Sequence, residues 1–302
     1  MDLYRRYMSD QINNSSLRSL HIFEYLVDIL ETVSFDSIPA TLWAKADCSV
    51  SDSTTDLTDN TNELRSKFLD IARYALTGFH LTCLTPYSSA GNHERTCFVN
   101  YVIPSMMALS YVTGLVQMKW CETEFSSGKL IDLEKWDFDL RNIPNRFMDA
   151  IGKMPDHDME VLLVEASSGI EKEDVQHTIE DTLKILDCST SSLLLTASKY
   201  KNCDFELFKK LNIFCLHIIR DKITLLATRV HDGAQWEHVE VRSAIIPTMW
   251  SKRLLWIRVL ELYATLMVQL TETKKILDNL RKQQLGILPV KGPTVEEHLH
   301  PV

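Results

Sequence analysis

Residues 146–169 read RFMDAIGKMPDHDMEVLLVEASSG, and the succession of residue types in this stretch sets the centre of the fold. Met154-Pro155-Asp156-His157-Asp158 is dense in turn formers, and Glu160-Val161-Leu162-Leu163-Val164 is a short apolar, β-branched run of the kind that fills a buried strand. The stretch therefore predicts a β-hairpin. Folding back about the turn sets Asp149 in the first arm nearly opposite Glu165 in the second. Two facing carboxylates repel unless a cation, a proton or a basic group lies between them, so a divalent-metal site is one expectation for this pair.

Around the hairpin, the composition is that of an ordinary globular protein. Its 302 residues are 45% hydrophobic and 24% charged, enough for one large core or two modest ones. A net charge of -9 argues against coating nucleic acid by bulk electrostatics, but leaves room for a local basic patch. The seven cysteines are scattered, odd in number and without a C-x-x-C pair, and the N-terminal MDLYRRYMSDQ has no apolar run after its arginines. Both features point to an intracellular protein, cytoplasmic or nuclear. Cys97 to Met118 carries no charge over roughly the length of a spanning helix. Asn100, Pro104, Ser105, Ser110, Thr113, Gly114 and Gln117 dilute it, however, so it reads as a core helix, turn and strand, with no membrane partner expected.

Along the chain, Ser15-Ser16 caps a helix predicted over Leu17–Thr32, and the polar, acidic stretch 47–62 reads as a loop. Helical spacing resumes at Leu64, Phe68, Ile71, Ala75 and Phe79. These pieces form an N-terminal helical region, residues 1–90. The core, residues 91–285, continues after the hairpin with an amphipathic helix over Glu171–Leu186, whose apolar positions are Val175, Ile179, Leu183 and Leu186. A short buried strand at Ser192–Ala197 then implies a parallel crossover. Strand-like runs follow at Ile213–Ile219, Ile223–Val230 and Trp236–Ala244, and a long helix runs from Thr248 to Gln284. Gly286 and Pro289 stop that helix, and residues 286–302 read as a flexible tail.

The order hairpin, E-x-S, crossover helix, strand resembles the core of the PD-(D/E)XK nuclease-like superfamily. The resemblance implies a mixed sheet with a restriction-endonuclease-like core, metal-binding acids at Asp149 and Glu165, and the main-chain carbonyl of Ala166 completing the shell. Mg²⁺ favours such hard oxygen ligands, and a metal beside a phosphodiester polarises it and generates hydroxide. The family pattern has a lysine two residues after the second acid, where this chain has Ser167. Lys153, Lys172 and Lys184 are the candidates to stand in for it, and Glu94, in His93-Glu94-Arg95-Thr96, is a candidate third acid or simply a helix-start carboxylate. H-E-R-T, Lys119-Trp120-Cys121-Glu122, D-A-I-G, E-A-S-S-G and the block from Glu240 to Trp250 are similar to a group of fungal proteins with diverged nuclease-like cores, over residues 90–285.

Three other patterns have plainer readings beside the functional ones. His80, Cys83, His93 and Cys97 have superficial zinc spacing, but no C-x2-C pair supports it. The basic residues of the last helix, Lys252, Arg253, Arg258, Lys274, Lys275, Arg281 and Lys282, are interrupted by Glu261, Glu272 and Asp278, as on a solvated face. Met267, Leu270 and Leu277 on the same helix are candidates for a dimerisation or scaffold seam. The substitution at Ser167 favours a catalytically degenerate module that binds nucleic acid or a protein partner. The alternative is an active Mg²⁺-dependent phosphodiesterase acting on DNA or RNA.

Overall fold

The computed structural model describes residues 14–44, 59–84, 94–135, 145–168, 173–232 and 235–299. Six strands form one mixed sheet in chain order: β1 Gln117–Glu124, β2 Phe147–Met154, β3 Met159–Ser168, β4 Ile213–Ile219, β5 Lys222–Asp232 and β6 Gln235–Ile245. Neighbours are antiparallel except β3 and β4, which are parallel. The described helices are α1 Ser16–Ser19, α2 Phe23–Thr32, α3 Ile38–Trp43, α4 Asp59–Leu84, α5 Glu94–Cys97, α6 Ile103–Thr113, α7 Ser126–Lys135, α8 Val175–Lys199, α9 Phe205–Phe208, α10 Trp256–Gln284 and α11 Val295–Leu299.

The β2–β3 hairpin forms where the turn formers stand. Pro155–His157 make one 3₁₀ turn, and Asp158 takes the left-handed conformation (φ 51°) that a short polar side chain tolerates. Gly152 is required by space, since a Cβ there would stand 2.8 Å from Met118 Sδ and 3.0 Å from Leu162 Cβ. All ten residues of β3 are buried, as expected of a strand inside the sheet with a parallel neighbour. Burial of Leu162, Leu163 and Val164 contributes about 1.5–3 kcal/mol each.

Several expectations are corrected. Ser192–Ala197 is not a strand but the continuation of α8, because Cys188, Ser192 and Leu193 fall at helical spacing on its buried side and Ser192 Oγ donates to the Glu160 carbonyl at 2.7 Å. A short apolar run does not by itself distinguish a strand from a buried helix segment. The parallel crossover persists, with β4 as its second strand. The single helix expected over Leu17–Thr32 is broken into α1 and α2 at His21, whose φ is 54°. Glu261 of α10 explains the position of α1, accepting from Ser16 N–H at 2.5 Å, Leu17 N–H at 3.2 Å and Ser15 Oγ at 2.7 Å. Of the expected loop, residues 59–62 belong to α4, and 47–58 lie outside the described residues. The last helix starts with a 3₁₀ segment, Trp250–Leu255, before α10.

The chain after α10 folds back. Thr294 pairs with Asp204, the Val295 and Glu296 N–H groups donate to the Cys203 and Lys201 carbonyls, and Val295 is buried, so the expected tail docks at 294–296, and 300–302 lie outside the described residues. Met267, Leu270 and Leu277 are fully buried within this chain and cannot also form an external helical seam. The segment Cys97–Met118 is α6 with its preceding turns and the start of β1, a core helix, turn and strand. Among the described residues, one stretch, Trp250–Gln284, is long and apolar enough to cross a membrane by length and composition, and more than half of its most apolar window is buried in the protein.

Candidate functional site

The hairpin register aligns Ala150 with Val164, which brings Asp149 alongside Glu165 at the end of the sheet where β3 leaves the core. A cleft of about 360 Å³ opens there, lined by Arg95, Glu122, Phe147, Met148, Asp149, Glu165, Ala166, His177 and Lys184. Asp149 Oδ2 accepts the Ala166 N–H at 2.8 Å, which ties the two arms together and fixes that carboxylate. Glu165 is almost wholly buried. Its Oε2 lies 2.9 Å from Lys184 Nζ, whereas its buried Oε1 has no hydrogen-bond partner among the described residues.

Helix α8 supplies the rest. Asp174 caps its first turn by accepting from the His177 N–H. Two turns later Lys184 Nζ also meets Asp181 Oδ1 at 2.9 Å, and His177 Nε2 stands 3.4 Å from Asp181 Oδ2. Asp181 is buried at 2% exposure, while Val175, Ile179, Leu183 and Leu186 are exposed. The apolar stripe expected to face the core thus faces outward, and the helix turns Asp181 and Lys184 toward the sheet. Desolvating such ions costs several kcal/mol each, so the fold carries this arrangement against its packing interest.

The electrostatics follow chiefly from burial of the carboxylates, with Lys184 paired to Glu165 and Asp181. Burial, then the charge of Asp149, push the Glu165 carboxyl up to about 8 against the opposing pull of Lys184. Asp149 is also raised, chiefly by burial, with Asp181 adding to the effect and the Ala166 N–H, Lys184 and Arg95 opposing it. For Lys184, burial acts downward, but Glu165 and Asp181 together outweigh it and raise the ammonium above its ordinary value. The cluster is short of positive charge. Its oxygen donors and the unpartnered Glu165 Oε1 fit a divalent cation held by Asp149 and Glu165, since Mg²⁺ is commonly bound through one or two carboxylates, with waters and phosphate completing its shell. Among the described residues no group of three or more His, Cys, Asp or Glu side chains is arranged around a common metal position.

The other candidates separate clearly. Ser167 is buried, with Oγ 2.6 Å from His217 Nε2, and does not line the cleft; burial holds His217 down at about 4. Lys153 pairs with Asp158 at 2.5 Å, on the turn, and Lys172 lies outside the described residues. Glu94 opens α5, and its side chain lies outside what the structure describes. Its neighbour Arg95 reaches the cleft and pairs with Glu122. Glu122 and Cys121 both adopt left-handed conformations (φ 47° and 65°) where β1 shifts register, a local strain that aims Glu122 at the cleft rim. Asp181 and His177 carry no sequence signal that singles them out, and Glu122 stands out only as part of the Lys119-Trp120-Cys121-Glu122 block. His93 of the zinc pattern lies outside the described residues, and His80 packs against the Phe35 ring.

No family model, no curated protein and no solved structure matches this chain.

Proposed function

We propose that this chain is a metal-dependent phosphodiesterase with a restriction-endonuclease-like core, acting on DNA or RNA inside the cell. The observation that supports the reading is Lys184, whose ammonium lies 2.9 Å from Glu165 Oε2 on the crossover helix; on this reading it serves the role of the lysine that the family pattern has where this chain has Ser167. On this reading Asp149 and Glu165 hold Mg²⁺, which when bound would neutralise phosphate charge and acidify a coordinated water. Lys184 orients the free edge of Glu165, offsets negative charge on the phosphate, and is itself fixed by Asp181. The inward turn of α8 supports the same reading, because buried charged groups set against the amphipathic pattern are expected at functional sites.

A second reading, a degenerate module that binds nucleic acid or a protein partner, is favoured by one observation, the exposed apolar stripe Val175, Ile179, Leu183 and Leu186. Calorimetric titration with Mg²⁺ or Mn²⁺ separates the two. The active reading expects binding by the wild type and its loss in Asp149→Ala/Glu165→Ala; a folded wild type that binds neither metal would overturn it.

A further inference from the structure

We propose that Phe147 is a stacking platform for one unpaired base, so that the chain engages single-stranded nucleic acid whose backbone crosses Asp149 and Glu165. The proposal rests on the phosphodiesterase reading of the same cleft and names its substrate form. Phe147 is the first residue of β2, is 46% exposed and lines the cleft. From Phe147 to Ala150 the burial runs exposed, buried, intermediate, buried, which puts Phe147 and Asp149 on one side of the strand and Met148 and Ala150 on the other. Two strand residues span about 6.8 Å. That spacing suits a base on the ring and its adjoining phosphate at the acids.

Three features favour a nucleobase over water as the ring's partner. No described aromatic ring stacks on Phe147, and the residue is about half exposed. The rest of the lining is mostly charged, with Arg95 and Lys184, paired to Glu122 and Glu165, as its basic side chains and Phe147 as its hydrocarbon ring. The cleft has the volume of a small-ligand pocket, and a base inside a duplex is already covered on both faces by its neighbours. A base must therefore be unpaired or turned out to reach the ring.

The test is fluorescence anisotropy with labelled twelve-residue oligothymidylate and oligouridylate, and a duplex of equal length. Calcium replaces magnesium, and wild type is compared with Phe147→Ala and Phe147→Trp. Stacking predicts that Phe147→Ala weakens single-strand binding by roughly 5- to 150-fold. Phe147→Trp should stay within a few-fold of wild type, and duplex binding should not change. Both variants should fold, because the side chain is about half exposed, and unfolding curves verify this. Equal single-strand affinity for wild type and Phe147→Ala, no single-strand binding by the wild type, or equal wild-type affinity for duplex would each overturn the proposal. Cleavage in Mn²⁺ is read separately. Phe147-dependent binding without cleavage removes the phosphodiesterase reading and keeps the platform, whereas cleavage indifferent to Phe147 does the reverse.

Discussion

Replacing Glu165 by Gln should flatten the pH dependence of folding stability in metal-free buffer. A carboxyl raised from its ordinary 4.5 to about 8 holds its proton more tightly in the folded protein than in the unfolded chain. Its contribution is therefore fully present below about pH 4.5 and is lost as pH rises through 8. At roughly 1.4 kcal/mol per pH unit the loss is at most about 5 kcal/mol, and less where the cluster relaxes or admits water. The buried histidines act in the opposite sense. His217, held at about 4, contributes stability above the usual histidine range that is lost as pH falls. Absolute stability is also affected, because the Glu165→Gln variant leaves Lys184 with one fewer carboxylate partner. The informative quantity is thus the difference in slope: urea unfolding of both proteins in EDTA, from pH 5 to 8.5. The wild type should lose about 2–4 kcal/mol more than Glu165→Gln across that range. Parallel profiles would refute the claim that burial holds the Glu165 carboxyl well above its ordinary value.

The helical continuation through residues 192–197 predicts that Leu193→Ala, at a fully buried site, costs about 2–5 kcal/mol in denaturant unfolding, while Leu183→Ala, at an exposed one, changes stability by less than about 0.5 kcal/mol. Comparable losses at the two sites would contradict the assigned face of α8. Gly152→Ala should destabilise by about 1–3 kcal/mol in the same assay, because Met118 and the neighbouring strand must give way; a neutral result would contradict the close approach of β1 and β3 at that point.

The hairpin was legible in the residues because turn formers and a β-branched run are local signals, and the pairing of Asp149 with Glu165 follows from them by counting. The face of α8 was not legible. Its periodicity points to Val175, Ile179, Leu183 and Leu186 as the core stripe, yet these are exposed and Asp181 is buried. Hydrophobic spacing reports where a helix would best pack, and here the site overrides it by turning a buried ion pair to the sheet. Lys184 was one of three candidate lysines, and only the geometry of the crossover separates it from Lys153, which closes the turn instead. The misassigned strand at Ser192–Ala197 has a similar cause, since an apolar run against a sheet serves equally in a strand or a buried helix face. Glu122 reaches the cleft through a register shift and two left-handed residues, for which its surrounding sequence gives no turn signal.

On the proposed function Lys184 acts with Asp149 and Glu165 in the one cleft that all three line. The most direct measurement is single-turnover cleavage of a labelled single-stranded oligonucleotide in Mn²⁺ by wild type, Asp149→Ala/Glu165→Ala and Lys184→Met, with folding verified by unfolding curves. The account predicts cleavage by the wild type, none by the acid double variant, and a rate reduced about 100-fold or more in Lys184→Met with metal binding retained. A folded wild type with no cleavage, or a Lys184→Met variant that cleaves at the wild-type rate, would contradict it.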